Sequence, residues 1–557
     1  MTTTLYTNAR VFTGDDGAGS DAGATPAGAT PAGAGAGIDG AAGAVLVDGA
    51  EIAWVGAASD APAANRTVDL DGRLLMPGFT DAHVHLVMMG TAIAQVNLDD
   101  ARSLPEIQQR LRAARAADPD ATILRGRGWL FDAVPDGRPT AAMIDEVVGH
   151  VPVFLDANDY HSCWVNRAAL EVLGITRDTP DPHGGEIVRD AAGDATGLLL
   201  ETAGTLHART YLDAITTDAD RDAAAERAIE SYLAAGVTGV VDMMLDEYDL
   251  AALQRAAERR GGELPIRVSG HWLIENRGDD AANLAQVARA AELAAASASS
   301  WLRVIGIKLV LDGVIDACTA AMRNPYSDGS NAGPIWPLEQ LAPVVVAADA
   351  AGLQIAQHAI GDRASDIALD ALERAIDVNG DRPRRHRIEH LEYAAPETPA
   401  RMARLGVTAS MQPVHSDPAI FANWAAMLGD ERVERAFPWP EYEDAGALLA
   451  FGTDAPTAPY AALANMYVAT TRASALDRAV PATHPQFALP LERALGHATR
   501  DAAASIGDGS WRGRIAPGFA ADLIVLDRDP FVEGPDSLLE ARVVETIVAG
   551  RTRYRAE

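Results

Sequence analysis

Two histidines two residues apart, His83 and His85, close the run LLMPGFTDAHVHL. In a β-strand that spacing sets both imidazoles on one face, so both can reach a single metal ion. Further along stand Lys308 in VIGIKLVLD, His358 in GLQIAQHAIGDRA, His386 and His390 in RHRIEHLEY, and Asp454 in LLAFGTDAP. Imidazole nitrogens and carboxylate oxygens are the ligand types that hold zinc, manganese or iron, and ions so held activate water for hydrolysis.

Lys308 is the most informative of these residues. Of the 46 basic residues, 45 are arginine and one is lysine. Arginine stays protonated, whereas a desolvated lysine can lose its proton and act as an amine nucleophile. Lys308 lies within a continuous aliphatic run, which is how a buried parallel strand reads. Carbon dioxide adding to a neutral amine there would give a carbamate, whose two oxygens can bridge two cations. A structural salt bridge is the competing reading, although arginine would serve that role in this composition.

Elements must carry these side chains to one place. The middle of the chain alternates apolar strand-like runs (239–243, 266–269, 304–311, 353–358, 387–390, 407–412, 448–452) with Ala-rich helical segments. Such alternation predicts a parallel sheet, and this many units predict a closed (β/α)8 TIM-like barrel. His358 and His390 are 32 residues apart, one strand–helix unit, and His390 and Asp454 are 64 apart, two units. The candidate ligands then fall at the C-terminal ends of strands one, four, five, six and eight, the face where barrel sites assemble. By alternation His390 shares the face of Ile388, and Glu389 points the other way.

Both chain ends read as β structure: Thr4–Phe12, Ala44–Val55, Thr67–Leu70 and Arg73–Met76 at the start, Asp522–Asp527 and Ala541–Val548 at the finish. They predict a β-sandwich domain over 1–75 and 510–557, flanking a barrel over 76–509 that carries an inserted segment at about 95–205 above the barrel mouth. The stretch from Gly14 to Gly43, with its near-repeat GATPAGATPAG, has almost no large side chains and reads as a flexible surface loop.

Composition narrows the partners. A length of 557 residues, 48% apolar content and a mean hydropathy near zero describe a globular protein with a large core. A formal charge of −32 repels nucleic acid and anionic lipid. No stretch reaches the roughly 20 apolar residues of a membrane span, and Met1–Phe12 lacks the pattern of a secretory signal, so a cytoplasmic protein is expected. Two cysteines, Cys163 and Cys318, make neither a disulfide framework nor a thiolate cluster. The expected partner is a small-molecule substrate, and a homodimer stays open.

The motifs together carry a resemblance over nearly the whole chain. PGFTDAHVHL, GRGWLFD (Gly126–Asp132), PVFLDANDYHSCWVNRAAL (Pro152–Leu170), GGEIVRD, TGLLLETA, HAIGDRA, RIEHLEY, SMQPVHSDP and GTDAP resemble the metal-dependent amidohydrolase superfamily. The similar branch is the one that includes the N-substituted formamide deformylases. The resemblance implies that His83, His85 and Asp454 bind one metal, that His358 and His390 bind the other, and that carboxylated Lys308 bridges them. It implies two zinc ions, with manganese or iron as alternatives, and carbon dioxide for the carbamate. Asp454 would move the proton during hydrolysis of a C–N amide bond, and His161 would contact the substrate. Asp81, Asp362 and Glu389 are candidates to support the ligands, with Gln412 and His415 bordering the site. Trp129, Phe131, Trp164, Tyr326 and Trp336 are candidates for an apolar pocket. The sequence departs from the family pattern at Tyr160 and around Asp316–Cys318, which bears on substrate rather than on metal. An ester, lactone or deaminase-type substrate, and a non-catalytic binding or regulatory role on the same scaffold, are the competing readings.

Overall fold

The computed structural model describes residues 3–14, 43–158, 160, 162–182, 185–297 and 299–556. His161, and the predicted loop from 14 to 43 apart from its two end glycines, lie outside the described residues. The chain divides into two compact units, Met1–Leu86 with Ile229–Glu557, and Val87–Ala228.

The first unit is built on eight parallel strands: β1 (Phe79–Val84), β2 (Val237–Leu245), β3 (Arg267–Leu273), β4 (Leu302–Val310), β5 (Gln354–Ala359), β6 (Arg387–His390), β7 (Thr408–Met411) and β8 (Leu449–Phe451). They pair in sequence order from β1 to β8. Their aliphatic composition follows from burial on both faces: every residue of β1, β6, β7 and β8 is buried. Amphipathic helices cross between strands. In Asp362–Asn379, for example, Ala364, Ile367, Ala368, Ala371, Leu372 and Ala375 form the buried stripe. The sheet is nearly closed into a TIM-like barrel. Its ends meet just past β8, where a parallel bridge joins Val84 to Ala455 and the Asp454 amide donates to the His83 carbonyl at 2.8 Å.

Both termini supply β structure to the same unit. Strands Thr3–Val11, Gly43–Asp48, Glu51–Ala57, Arg66–Asp69 and Leu74–Pro77 join Leu523–Leu526, Val543–Val548 and Arg551–Arg555. Hydrogen bonding links seven of them in one path, and Arg66–Asp69 pairs with Thr3–Val11 off that path. Tyr6, Val45, Val47, Ile52, Leu75, Leu523, Val525 and Ile547 form its core.

The second unit holds a six-stranded mixed sheet: Val96–Asn97, Leu124–Trp129, Val153–Ala157, Ser162–Val165, Ala195–Glu201 and Gly185–Arg189, in that spatial order. Period-two alternation sends Leu155 and Trp164 into one hydrophobic cluster and Phe154, Cys163 and Val165 into another. Trp129 and Trp164 are fully buried in the first cluster, so these two pocket candidates are core residues; Tyr326 and Trp336 are likewise buried, in the first unit. Both cysteines are free. Among the described residues no helix is long and apolar enough to cross a membrane.

Candidate metal centre

Strand β1 delivers His83 and His85, and the seam that closes the barrel sets Asp454 beside them. Gly452, at the end of β8, makes the close approach possible: a Cβ there would lie 2.4 Å from the His83 amide nitrogen. Asp81 ties the same seam, accepting from the Thr453 amide at 2.9 Å, the Thr453 hydroxyl at 2.5 Å and the Tyr232 hydroxyl at 2.8 Å. Asp454 sits at φ +59°, a left-handed conformation that costs strain in a residue with a side chain. Its Oδ1 lies 3.0 Å from His85 Nε2 and 3.4 Å from His83 Nε2; its Oδ2 lies 3.6 Å from His415 Nε2 and 4.0 Å from His390 Nδ1.

Lys308 reaches the same point from β4, with Nζ 3.4 Å from His83 Nε2. It is 3% exposed, and among the described residues no carboxylate forms an ion pair with it. His358 comes from β5 and His390 from the end of β6, their ring centroids 4.4 Å apart and His390 4.8 Å from His83. His358 turns Nε2 toward the Gly313 carbonyl at 3.2 Å, which leaves Nδ1 as its free nitrogen. All six predicted metal ligands therefore converge. His386 does not: it is held by Asp349 at 3.0 Å, and Asp362 accepts from the Arg323 amide rather than from an imidazole.

The alternation expected across β6 fails at its last residue. Glu389 faces the barrel interior with Arg387, and its Oε2 meets His83 Nδ1 at 2.8 Å. Arg387 holds Glu389 through Nε at 2.5 Å and also donates to the Ala82 carbonyl and the Ser410 hydroxyl, all at zero exposure for both charged groups. His390 enters the site because its backbone is left-handed, φ +76°, which turns two successive side chains inward. Its Nδ1 is oriented by Gln412 Oε1 at 2.9 Å.

His415 is a functional candidate that the sequence placed only at the border. It lies on the 3-10 turn Pro413–Ser416 after β7, stacked on His390 at 5.9 Å. Its Nδ1 is 3.5 Å from Glu392 Oε1, and Trp424 Nε1 donates to the other Glu392 oxygen at 2.8 Å. Carboxylates behind His83 and His415 are the usual orienting partners of metal-facing imidazoles. The donor atoms of His83, His85 and Asp454 lie within 4.8 Å of one another, as do those of His390, His415 and Asp454.

Burial sets the protonation of the cluster. It pushes the His83 imidazole down to about 4 and that of His358 down to about 3, with the Lys308 charge acting in the same direction. Burial also lowers His390 and the Lys308 ammonium. Burial alone would raise Asp454, but His83, His85 and His390 outweigh it and hold the carboxyl well below its usual range. Neutral imidazoles and an ionised carboxylate are the forms that ligate metals. Asp454 Oδ1 and His85 Nδ1 are buried without a hydrogen-bond partner among the described residues, and an electron-pair acceptor between the imidazoles and the carboxylate would satisfy the former. The donor set fits a divalent cation.

Comparison with known proteins agrees with this geometry. Residues 66–554 match the amidohydrolase family. The chain is 31% identical over 496 residues to the putative amidohydrolase YtcJ of Bacillus subtilis, covering 87% of this chain and 90% of that protein. It is 30% identical over 538 residues to the N-substituted formamide deformylase of Arthrobacter pascens, covering 92% and 94%. A crystal structure of an uncharacterized metal-dependent hydrolase from Pyrococcus horikoshii superposes with a TM-score of 0.73 at 25% identity, covering 96% of this chain and 99% of that one.

Proposed function

The chain belongs to the amidohydrolase family and is a metal-dependent hydrolase; from that premise we propose that it cleaves the C–N bond of a small amide, with an N-formyl or N-acyl amine as substrate. The relative named an N-substituted formamide deformylase supports this choice of bond. The observation that carries the reading is Lys308, a buried lysine without a carboxylate partner among five other ligand-type side chains. Carbon dioxide would form a C–N bond to its neutral Nζ with one proton leaving to solvent, and the carbamate would supply two further oxygen donors.

In this reading His83, His85 and Asp454 would hold one ion, His358 and His390 would hold the other, and carboxylated Lys308 would donate to both. Zinc is the ion of choice, with manganese or iron also compatible with nitrogen and oxygen donors. Bound ions of this kind polarise a carbonyl oxygen and make water acidic enough to serve as nucleophile near neutral pH.

The protein's own residues do the rest. Glu389 and Gln412 fix the ring orientations of His83 and His390. Asp454 accepts the proton of the attacking water and delivers it to the departing nitrogen, so that one water and one amide give a carboxylic acid and an amine.

A hydrolysis screen of the metal-loaded protein against N-formyl amines, N-acyl amines, esters and lactones tests the choice of bond. Amide turnover, lost by a factor of about 10² to 10⁴ in Asp454→Asn, is the expected outcome. Turnover confined to esters or lactones would overturn the amide assignment, and turnover of nothing in the presence of bound metal would favour a binding role.

A further inference from the structure

The unit Val87–Ala228 carries a small cleft whose charged and phenolic lining comprises Arg125, Asp156, Tyr160, Glu201, Arg209 and Asp213. Asp156 stands on the strand Val153–Ala157, Arg125 on the neighbouring strand Leu124–Trp129, and Arg209 ends the π-helical turn Gly204–Arg209. Among the described residues neither Asp156 nor Arg209 forms an ion pair or hydrogen bond, and the two guanidinium groups act on Asp156 only at longer range. The Tyr160 hydroxyl, also in the lining, is buried without a hydrogen-bond partner. A buried phenol without a partner is unfavourable unless something else satisfies it, and here it stands beside a half-buried carboxylate and guanidinium that do not pair with each other.

The local backbone is also arranged at some cost. Tyr160 (φ +59°) and Glu201 (φ +51°), both in the lining, occupy the left-handed region without being glycine. The turn Gly204–Arg209 takes the rare π-helical form. Strained residues and π-turns concentrate at binding sites because the fold retains them where they aim side chains.

The complement of these groups defines a ligand. Two guanidinium groups match a carboxylate, which arginine binds in forked geometry. A carboxylate and a phenol match an ammonium or an N–H group. The cleft is small and admits a ligand of a few heavy atoms. We propose that this cleft binds a small zwitterion of amino-acid type, its carboxylate on Arg125 and Arg209 and its amino group on Asp156, with the Tyr160 hydroxyl as a further polar contact. The proposal stands independently of the bond cleaved at the metal centre.

Titration calorimetry of L-alanine into the metal-loaded full chain tests it, with acetate and methylammonium as probes carrying half of the functionality each. Saturable 1:1 binding of L-alanine, tighter than either half-probe, is expected. Arg209→Gln should weaken it by at least about tenfold, the size of a charge-assisted contact. Tyr160→Phe removes a hydroxyl that bonds nothing in the protein, so it should weaken binding severalfold without lowering the unfolding midpoint. Asp454→Asn should keep the binding while losing hydrolysis, which separates the two assignments. Absence of saturable binding, affinity indifferent to both Arg209→Gln and Tyr160→Phe, or binding lost in Asp454→Asn would each overturn the proposal.

Discussion

Replacing Glu389 by glutamine separates the stability of the barrel core from the assembly of the metal centre. Glutamine keeps the shape but removes the charge that Arg387 faces at zero exposure. Breaking a buried pair by removing one partner costs about 3–5 kcal/mol, because the other charge is left uncompensated. Arg387 retains the Ala82 carbonyl at 2.7 Å and the Ser410 hydroxyl at 2.5 Å, which points to the lower end, about 3 kcal/mol. His83 Nδ1 loses its carboxylate at the same time, and such losses weaken metal affinity by about 10- to 100-fold. Urea denaturation reads the first effect, and competition against a chromogenic chelator reads the second. The double variant Arg387→Met with Glu389→Gln removes the stranded cation, so it should recover most of the stability and none of the metal affinity. Wild-type stability (within about 0.5 kcal/mol) together with unchanged metal affinity in Glu389→Gln would refute the reasoning.

Two further perturbations probe other parts of the account. Lys308→Met replaces a buried amine without an anionic partner by an apolar chain of similar length, so stability should hold to within about 1 kcal/mol. Metal content should fall and hydrolysis should drop by more than about a hundredfold; a loss of several kcal/mol would mean that Lys308 is a structural cation. His497, far along the chain and 3% exposed, is a pH probe of the fold. Burial alone would depress its pKa, but Asp501 at 2.8 Å and Glu443 at 3.6 Å outweigh it and raise the imidazole from 6.5 to about 9. Because the folded value is the higher one, the contribution is fully present below about pH 6.5 and is lost as pH rises through about 9. It amounts to about 3 kcal/mol at most, and in His497→Gln the decline of the unfolding midpoint across that window should flatten.

The strands that carry the site were legible because burial on both faces demands aliphatic runs, and such runs flank Lys308 and lead into His358 and Asp454. The His83–His85 spacing was legible because a strand has period two. What failed was tied to backbone conformations that composition does not encode. Alternation placed Glu389 away from the site, but the left-handed His390 brings both residues inward. His415 follows β7 on a 3-10 turn, where neither strand nor helix periodicity applies; Pro413, two residues past the strand end, was the available signal. The single strand expected over Ala44–Val55 is a hairpin of Gly43–Asp48 and Glu51–Ala57. Gly49 (φ +61°) turns the chain, and the Asp48–Gly49 pair is the sequence signal for it.

His83, His85, Lys308, His358, His390 and Asp454 converge to hold catalytic metal. Elemental analysis of the purified protein, coupled to an amide hydrolysis assay before and after dialysis against a chelator, tests it most directly. About two divalent ions per chain are expected, with activity that disappears with them and returns on adding zinc. A chelated, metal-free protein that hydrolyses its substrate at the original rate would contradict it.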